Sequence, residues 1–167
     1  MPDDGNRYEA IDGVLYVTPG PTTRHQRVSM NLTIALNRIL VEPGHGILFY
    51  APLGVEFVET EEGVQPDLFF IRSEREHIIH DDTIQGGPDL VIEILSPSTA
   101  RRDRTIKLDF YRRLGVAEYW VVDADAEVVE VWRLDEGATI GEDHRGTVPV
   151  RLTGQVAGHI ELAAVFK

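Results

Sequence analysis

Residues 88–99 read PDLVIEILSPST. From Leu90 to Leu95 the run is apolar on both alternating sets, as in a strand covered on both faces rather than one with a wet side. The Ser96-Pro97 pair then breaks it. One residue does not belong: Glu93 puts a carboxylate in the middle of the run. A buried, unpaired carboxylate costs several kcal/mol or takes up a proton. Such a strand therefore needs layers on both sides and a partner for its charge.

The rest of the chain supplies the layers. Asp12-Gly13 lies between two strand-like runs in YEAIDGVLYV (Tyr8 to Val17), a strong hairpin signal. From about Thr23 to Val41 the residues Val28, Leu32, Leu36 and Ile39 share one face of an amphipathic helix, which Pro43-Gly44 stops. Three strands are expected next, in ILFYA, in GVEFVE (Gly54 to Glu59) and in VQPDLFFI (Val64 to Ile71). After Pro97, Ser98 or Thr99 can begin a helix running to Leu114, with Ile106, Phe110 and Leu114 as its buried stripe and Gly115 as its C-terminal cap. EYWVVDADAEVVEVWRL reads as two strands around Asp123 to Ala126, with a C-terminal strand pair beyond. The order helix, three strands, helix, strand predicts a single α+β (α/β-like) domain over residues 1–167, with a mixed central sheet.

Three ionisable residues stand where charge is costly. Asp67 interrupts QPDLFFI as Glu93 interrupts LVIEIL, and two carboxylates on neighbouring central strands repel unless a cation lies between them. A hard divalent ion with oxygen ligands resolves that conflict; Mg²⁺ typically takes one or two carboxylates plus waters and phosphate. The ordinary alternative is a strand-end carboxylate facing water or paired with an arginine. Of 16 basic residues only Lys107 and Lys167 are lysines. Lys107 falls one residue past Ile106, at the margin of the helix's core face, from which its side chain can reach the strand ends. An ammonium there could stabilise charge on a transferring phosphoryl group; otherwise Lys107 pairs with Asp103 at the surface. Tyr111, one turn on, could hydrogen-bond the site or simply pack, and packing is the favoured reading.

The net charge of −12 argues against a protein that coats nucleic acid through bulk charge. The distribution qualifies this, because RRDRTIKLDFYRR (Arg101 to Arg113) holds six of the basic residues against Asp103 and Asp109. A local basic stripe on an acidic body can still meet a polyanion. With no cysteine, disulfide and thiolate chemistry are excluded. No run of about 18 apolar residues predicts a membrane span, and MPDDGNRYEA is unlike a signal peptide, so the expected location is the cytoplasm. Nucleotide-binding glycine loops and a hydrolase G-x-S-x-G are absent from the sequence. His77 and His80 (HIIH) lack a third ligand nearby for zinc.

With these residues the chain resembles the PD-(D/E)XK restriction-endonuclease-like superfamily, and within it the Uma-two family of small endonucleases. The resemblance rests on YEAIDGVLYVTPGPTTRHQRV, QPDLFFI, PDLVIEILSPST, RDRTIKLDFYRRLGVAEYWVVD and their spacing, and spans about Tyr8 to Leu134. It implies an α-β-β-β-α-β core, here with an added N-terminal hairpin and C-terminal strands. It implies Asp67 and Glu93 as metal ligands. The strand pattern D/E-x-K has Leu95 where the lysine belongs; the family's lysine lies instead on the following helix, and Lys107 matches it. Glu9 and His25 also match recurrent positions, Glu9 as a carboxylate behind the ligands and His25 as a base or phosphate contact. A histidine near a helix start is otherwise a common surface residue.

The expectation is thus a metal-dependent endonuclease. Asp67, Glu93 and the main-chain carbonyl of Ile94 would hold one Mg²⁺ or Mn²⁺. Lys107 would act at the transition state, and Arg101, Arg102 and Arg104 would meet DNA backbone phosphates. Cleavage of both strands of a duplex would favour a homodimer. Two alternatives stay open: a nuclease fold kept as a binding or regulatory module, and a phosphoesterase acting on a small substrate.

Overall fold

Asp12 and Gly13 adopt φ of 50° and 74°, the left-handed pair that a two-residue hairpin turn requires. The computed structural model describes residues 5–97 and 99–167. In it, β1 (Arg7–Ile11) and β2 (Val14–Thr18) pair antiparallel, with Ile11 opposite Val14. Helix α1 (Thr23–Leu36) starts where the Thr22 hydroxyl accepts the His25 N–H, and it buries Val28, Leu32 and Leu36 at four-residue spacing. A widened π-type turn, Asn37–Val41, carries it to the expected end.

There follow β3 (Gly46–Tyr50), β4 (Gly54–Phe57), β5 (Glu62–Val64), β6 (Leu68–Arg72), β7 (Thr83–Gln85) and β8 (Leu90–Ile94). Helices α2 (Ala100–Arg104) and α3 (Ile106–Leu114) lead to β9 (Glu118–Asp123), β10 (Val128–Arg133), β11 (Glu142–His144), β12 (Thr147–Leu152) and β13 (Gln155–Glu161). The central sheet has the order β11-β10-β9-β8-β6-β3, and β8 pairs parallel with β9 but antiparallel with β6, so the sheet is mixed as expected. A second sheet has the order β2-β1-β5-β4-β7.

Every residue of β8 is buried. Leu90, Ile92 and Ile94 face one core with α1, whereas Val91 faces the other, with Phe110 and Tyr111 of α3. Period-two alternation puts Glu93 on the Val91 face, towards α3 and the second sheet. The C-terminal hairpin β12–β13 has a partner that alternation alone could not name: Val148, Val150 and Ile160 share the core of α1. It packs into the core that the buried face of α1 also lines.

Three sequence expectations change. The Gly54 to Glu59 strand belongs to the second sheet, not the central one. Val64 to Ile71 is two strands in two sheets, broken at Gln65–Asp67, because Pro66 has no N–H to give a ladder. The long helix is broken at Thr105 (φ −128°, ψ −77°). There the Thr105 hydroxyl bonds the Arg101 carbonyl at 2.7 Å, a local bond that competes with the helical ladder. Of the two starts expected for that helix, Ser98 lies outside the described residues. The buried stripe has also turned: Ile106 is half-buried, while Asp103, Lys107, Phe110, Tyr111 and Leu114 are buried. The first turns of this face meet carboxylates rather than apolar side chains.

Candidate active site

The break at Pro66 places Asp67 at the point where the chain leaves the second sheet for the central one. Leu68 pairs with Ile92, so the next step outward sets Asp67 opposite Glu93 on the same sheet face. Asp67 is 4% exposed and Glu93 3%. The Ile94 N–H donates to Asp67 Oδ2 at 2.7 Å. In an extended residue N–H and C=O point to the same side, so the Ile94 carbonyl also faces the Asp67 edge. Asp67 Oδ2 further meets His25 Nε2 at 3.0 Å, and its Oδ1 accepts from the Arg7 guanidinium. Burial alone would push Asp67 up, but the His25 hydrogen bond, the Arg7 charge and the Ile94 N–H hold it down at about 2.

Glu93 is poised the other way. Lys107 Nζ donates to Glu93 Oε1 at 2.8 Å and the Tyr111 hydroxyl donates to the same oxygen at 2.5 Å. Burial raises Glu93 to about 8; Lys107 opposes this, and Asp67, Asp103 and Glu9 add to it. Lys107 itself is 3% exposed. Burial would lower its pKa, but Glu93, Glu9 and Asp103 raise it, so the ammonium persists. Nζ lies 2.8 Å from Glu9 Oε1 and 3.8 Å from Asp103 Oδ1. The i−4 pairing with Asp103 is thus the weakest of its three. Tyr111 does both things open to it: it is buried, and it is bonded to Glu93.

Glu9 joins the layers. Its Oε1 accepts the Gln65 N–H at 3.1 Å as well as Lys107, and its Oε2 lies 3.1 Å from Arg102. Arg102 also donates to the Thr18 hydroxyl and lies over the Tyr16 ring. Arg104 pairs with Asp123 and Glu130, and Arg101 is exposed.

These groups surround one cavity of about 560 Å³. Glu9, His25, Asp67, Glu93, Ile94 and Lys107 all line it, as do Arg102 and Arg104; Arg101 does not. Both donors to Glu93 sit on Oε1, which leaves Oε2 the oxygen for a cation. Among the described residues no three Asp, Glu, His or Cys side chains form a ready cage. An ion placed here would have two carboxylates and a carbonyl as its protein ligands, with water or substrate completing its shell. His77 and His80 are exposed and line no part of this cavity.

A family model, Uma2, described as "Putative restriction endonuclease", matches residues 1–156. The chain belongs to the Uma2 family. An uncharacterised protein of Synechocystis sp., sll1609, is 28% identical over 116 residues, which are 69% of this chain and 65% of that protein. The chain thus spans just under two thirds of the length of this curated relative. The crystal structure of a "putative nuclease belonging to DUF820" from Anabaena variabilis superposes with a TM-score of 0.81 at 20% identity, over 99% of this chain and 93% of that one. At that identity the likeness speaks for the fold, which is the expected nuclease-like α+β fold. No helix among the described residues is long and apolar enough to cross a membrane.

Arg7 and Asp103 are among the cavity residues that the sequence did not point to. Arg7 lies two positions before Glu9 on β1, and on a strand that spacing means a shared face. Asp103 was read only as a surface partner of Lys107, yet it is 1% exposed.

Proposed function

We propose that this chain is a metal-dependent endonuclease that hydrolyses phosphodiester bonds in DNA. The observation that carries the reading is the convergence of Asp67, Glu93 and Lys107 on one cavity wall, from a strand entry, a central strand and a helix. Asp67, Glu93 and the Ile94 carbonyl would hold one Mg²⁺ or Mn²⁺. When bound, such an ion polarises the scissile phosphate and lowers the pKa of a ligated water. Lys107, fixed between Glu9 and Glu93, presents an ammonium that offsets charge on the phosphoryl oxygens. Tyr111 orients Glu93 from behind. His25 aligns Asp67 and faces the cavity, where it can meet a phosphate. Arg101, Arg102 and Arg104 carry the backbone contacts, and two-strand cleavage would engage a homodimer.

One observation favours a second reading, a binding module without turnover. Arg102 and Arg104 already pair with the protein's own carboxylates, and the body carries −12.

The test is Mn²⁺ titration calorimetry on wild type, Asp67→Asn and Glu93→Gln, followed by cleavage of a supercoiled plasmid. Binding lost in both variants, with metal-dependent nicking that Lys107→Ala removes, supports the endonuclease. Binding without nicking favours the module. No binding up to millimolar Mn²⁺ sinks the metal-dependent reading.

A further inference from the structure

Asp67 already has a cation. The Arg7 guanidinium donates to Oδ1 while His25 and the Ile94 N–H occupy Oδ2. Both oxygens of the carboxylate are therefore engaged from within the chain. Arg7 also feels the charges of Glu93 and Glu9, so its positive charge lies among three of the cavity's carboxylates. That is the location in which the carboxylates would favour a divalent ion.

We propose that Arg7 and a divalent cation compete for Asp67, so that metal entry displaces the guanidinium into the cavity, where it serves as a phosphate-contacting residue. This rests on the metal-dependent reading above. Like charges close together in a poorly screened site repel strongly, so a dication on Asp67 Oδ1 cannot coexist with Arg7 in its present contact. The guanidinium has somewhere to go, because Arg7 lines the 560 Å³ cavity and its side chain is 20% exposed. A freed guanidinium matches phosphate geometry through paired N–H donors.

Displacing Arg7 need not undock the N-terminal hairpin. Glu9 still holds the Gln65 N–H and Lys107, and Arg113 still bridges Asp12 and Glu62. Only the contact that blocks Asp67 is exchanged.

The experiment is Mn²⁺ titration calorimetry on the full chain for wild type, Arg7→Gln, Arg7→Lys and Arg102→Gln, each checked for folding by thermal melting. Arg102→Gln removes the same charge from the same cavity but does not touch Asp67. Competition predicts at least a fivefold tighter Kd in Arg7→Gln, a Kd within twofold of wild type in Arg7→Lys, and a smaller gain in Arg102→Gln. Should Arg7→Gln not fold, Arg7→Lys and Arg7→Met decide, with tightening expected only in Arg7→Met. An unchanged or weaker Kd in Arg7→Gln overturns the proposal while leaving the metal site standing. Equal tightening in Arg7→Gln and Arg102→Gln also overturns it, since the effect would then be one of general charge. No Mn²⁺ binding in any variant overturns both this proposal and the metal-dependent reading.

Discussion

Lys107 Nζ stands 2.8 Å from Glu93 Oε1, although the two residues are 14 positions apart and on different elements. The contact joins α3 to the central strand β8, and with Glu9 at an equal 2.8 Å it joins the second sheet as well. One ammonium thus ties three layers at the cavity floor. Removing one member of a buried pair leaves the others unmatched, which is more costly than the pair's net contribution.

Lys107→Met should therefore destabilise the fold by about 3–5 kcal/mol in urea at neutral pH. It takes from Glu9 its nearer cation, beside a Glu93 that holds its proton at that pH. Adding Glu9→Gln to Lys107→Met should recover part of that loss, because the acid left beside the vacated position then carries no charge. A double variant no more stable than Lys107→Met would mean that the cost lies in lost packing of the side chain.

Glu93 gives stability a pH dependence that spans neutrality. Its folded value is about 8, against 4.5 for the ordinary group. Between those values the folded protein holds a proton that the unfolded chain has released. The contribution is present in full below 4.5 and is lost as pH rises through 8. Urea midpoints should fall from about pH 5 to about pH 8 in wild type, level off above that, and stay flatter in Glu93→Gln. Equal slopes in the two proteins would place the titrating proton elsewhere.

Glu9 and His25 came to this site through the resemblance; the residues that pointed to it by themselves share one property, that they break a pattern. Asp67 and Glu93 are charges inside apolar strand sequence, and Lys107 is the one interior lysine of an arginine-rich chain. Arg7 breaks no pattern, since an arginine near a hairpin is ordinary until the second sheet brings it against Asp67. For Tyr111 the sequence allowed both packing and a hydrogen bond without naming the acceptor, because an apolar stripe does not reveal what its last polar atom meets. The helix break at Thr105 comes from one hydroxyl choosing a local carbonyl, a choice that periodicity does not register. For β12–β13 the sequence showed a strand pair but not its packing partner, and the fold supplies it in the core shared with α1.

Asp67 governs the acid limb. Its carboxyl is held at about 2, below the ordinary 3.8, so its ion pairs contribute stability above 3.8 that is lost as pH falls through 2. Asp67→Asn should cost about 1–3 kcal/mol at neutral pH, with Arg7 and His25 left short of a partner. The gap between wild type and Asp67→Asn should close as pH drops from about 5 to about 2. A gap that stays constant over that range would contradict the pairing of Asp67 with Arg7 and His25.

Tyr111→Phe separates the hydroxyl from the packing of the ring. The phenyl ring keeps its edge contact with Phe110 and leaves no unmatched donor behind, and Glu93 Oε1 retains Lys107. The loss at pH 7 should be near that of a neutral hydrogen bond, about 1 kcal/mol. Above the Glu93 pKa of about 8 the acceptor is a carboxylate, and the same bond becomes charge-assisted. The cost of Tyr111→Phe should then grow to about 2 kcal/mol near pH 9. Tyr119→Phe is the matched control, because the Tyr119 hydroxyl donates to the Asp103 main-chain carbonyl at 2.9 Å, an acceptor that does not titrate. Its cost should stay near 1 kcal/mol throughout. If the two variants run parallel across the pH range in urea denaturation, Tyr111 does not report the charge on Glu93.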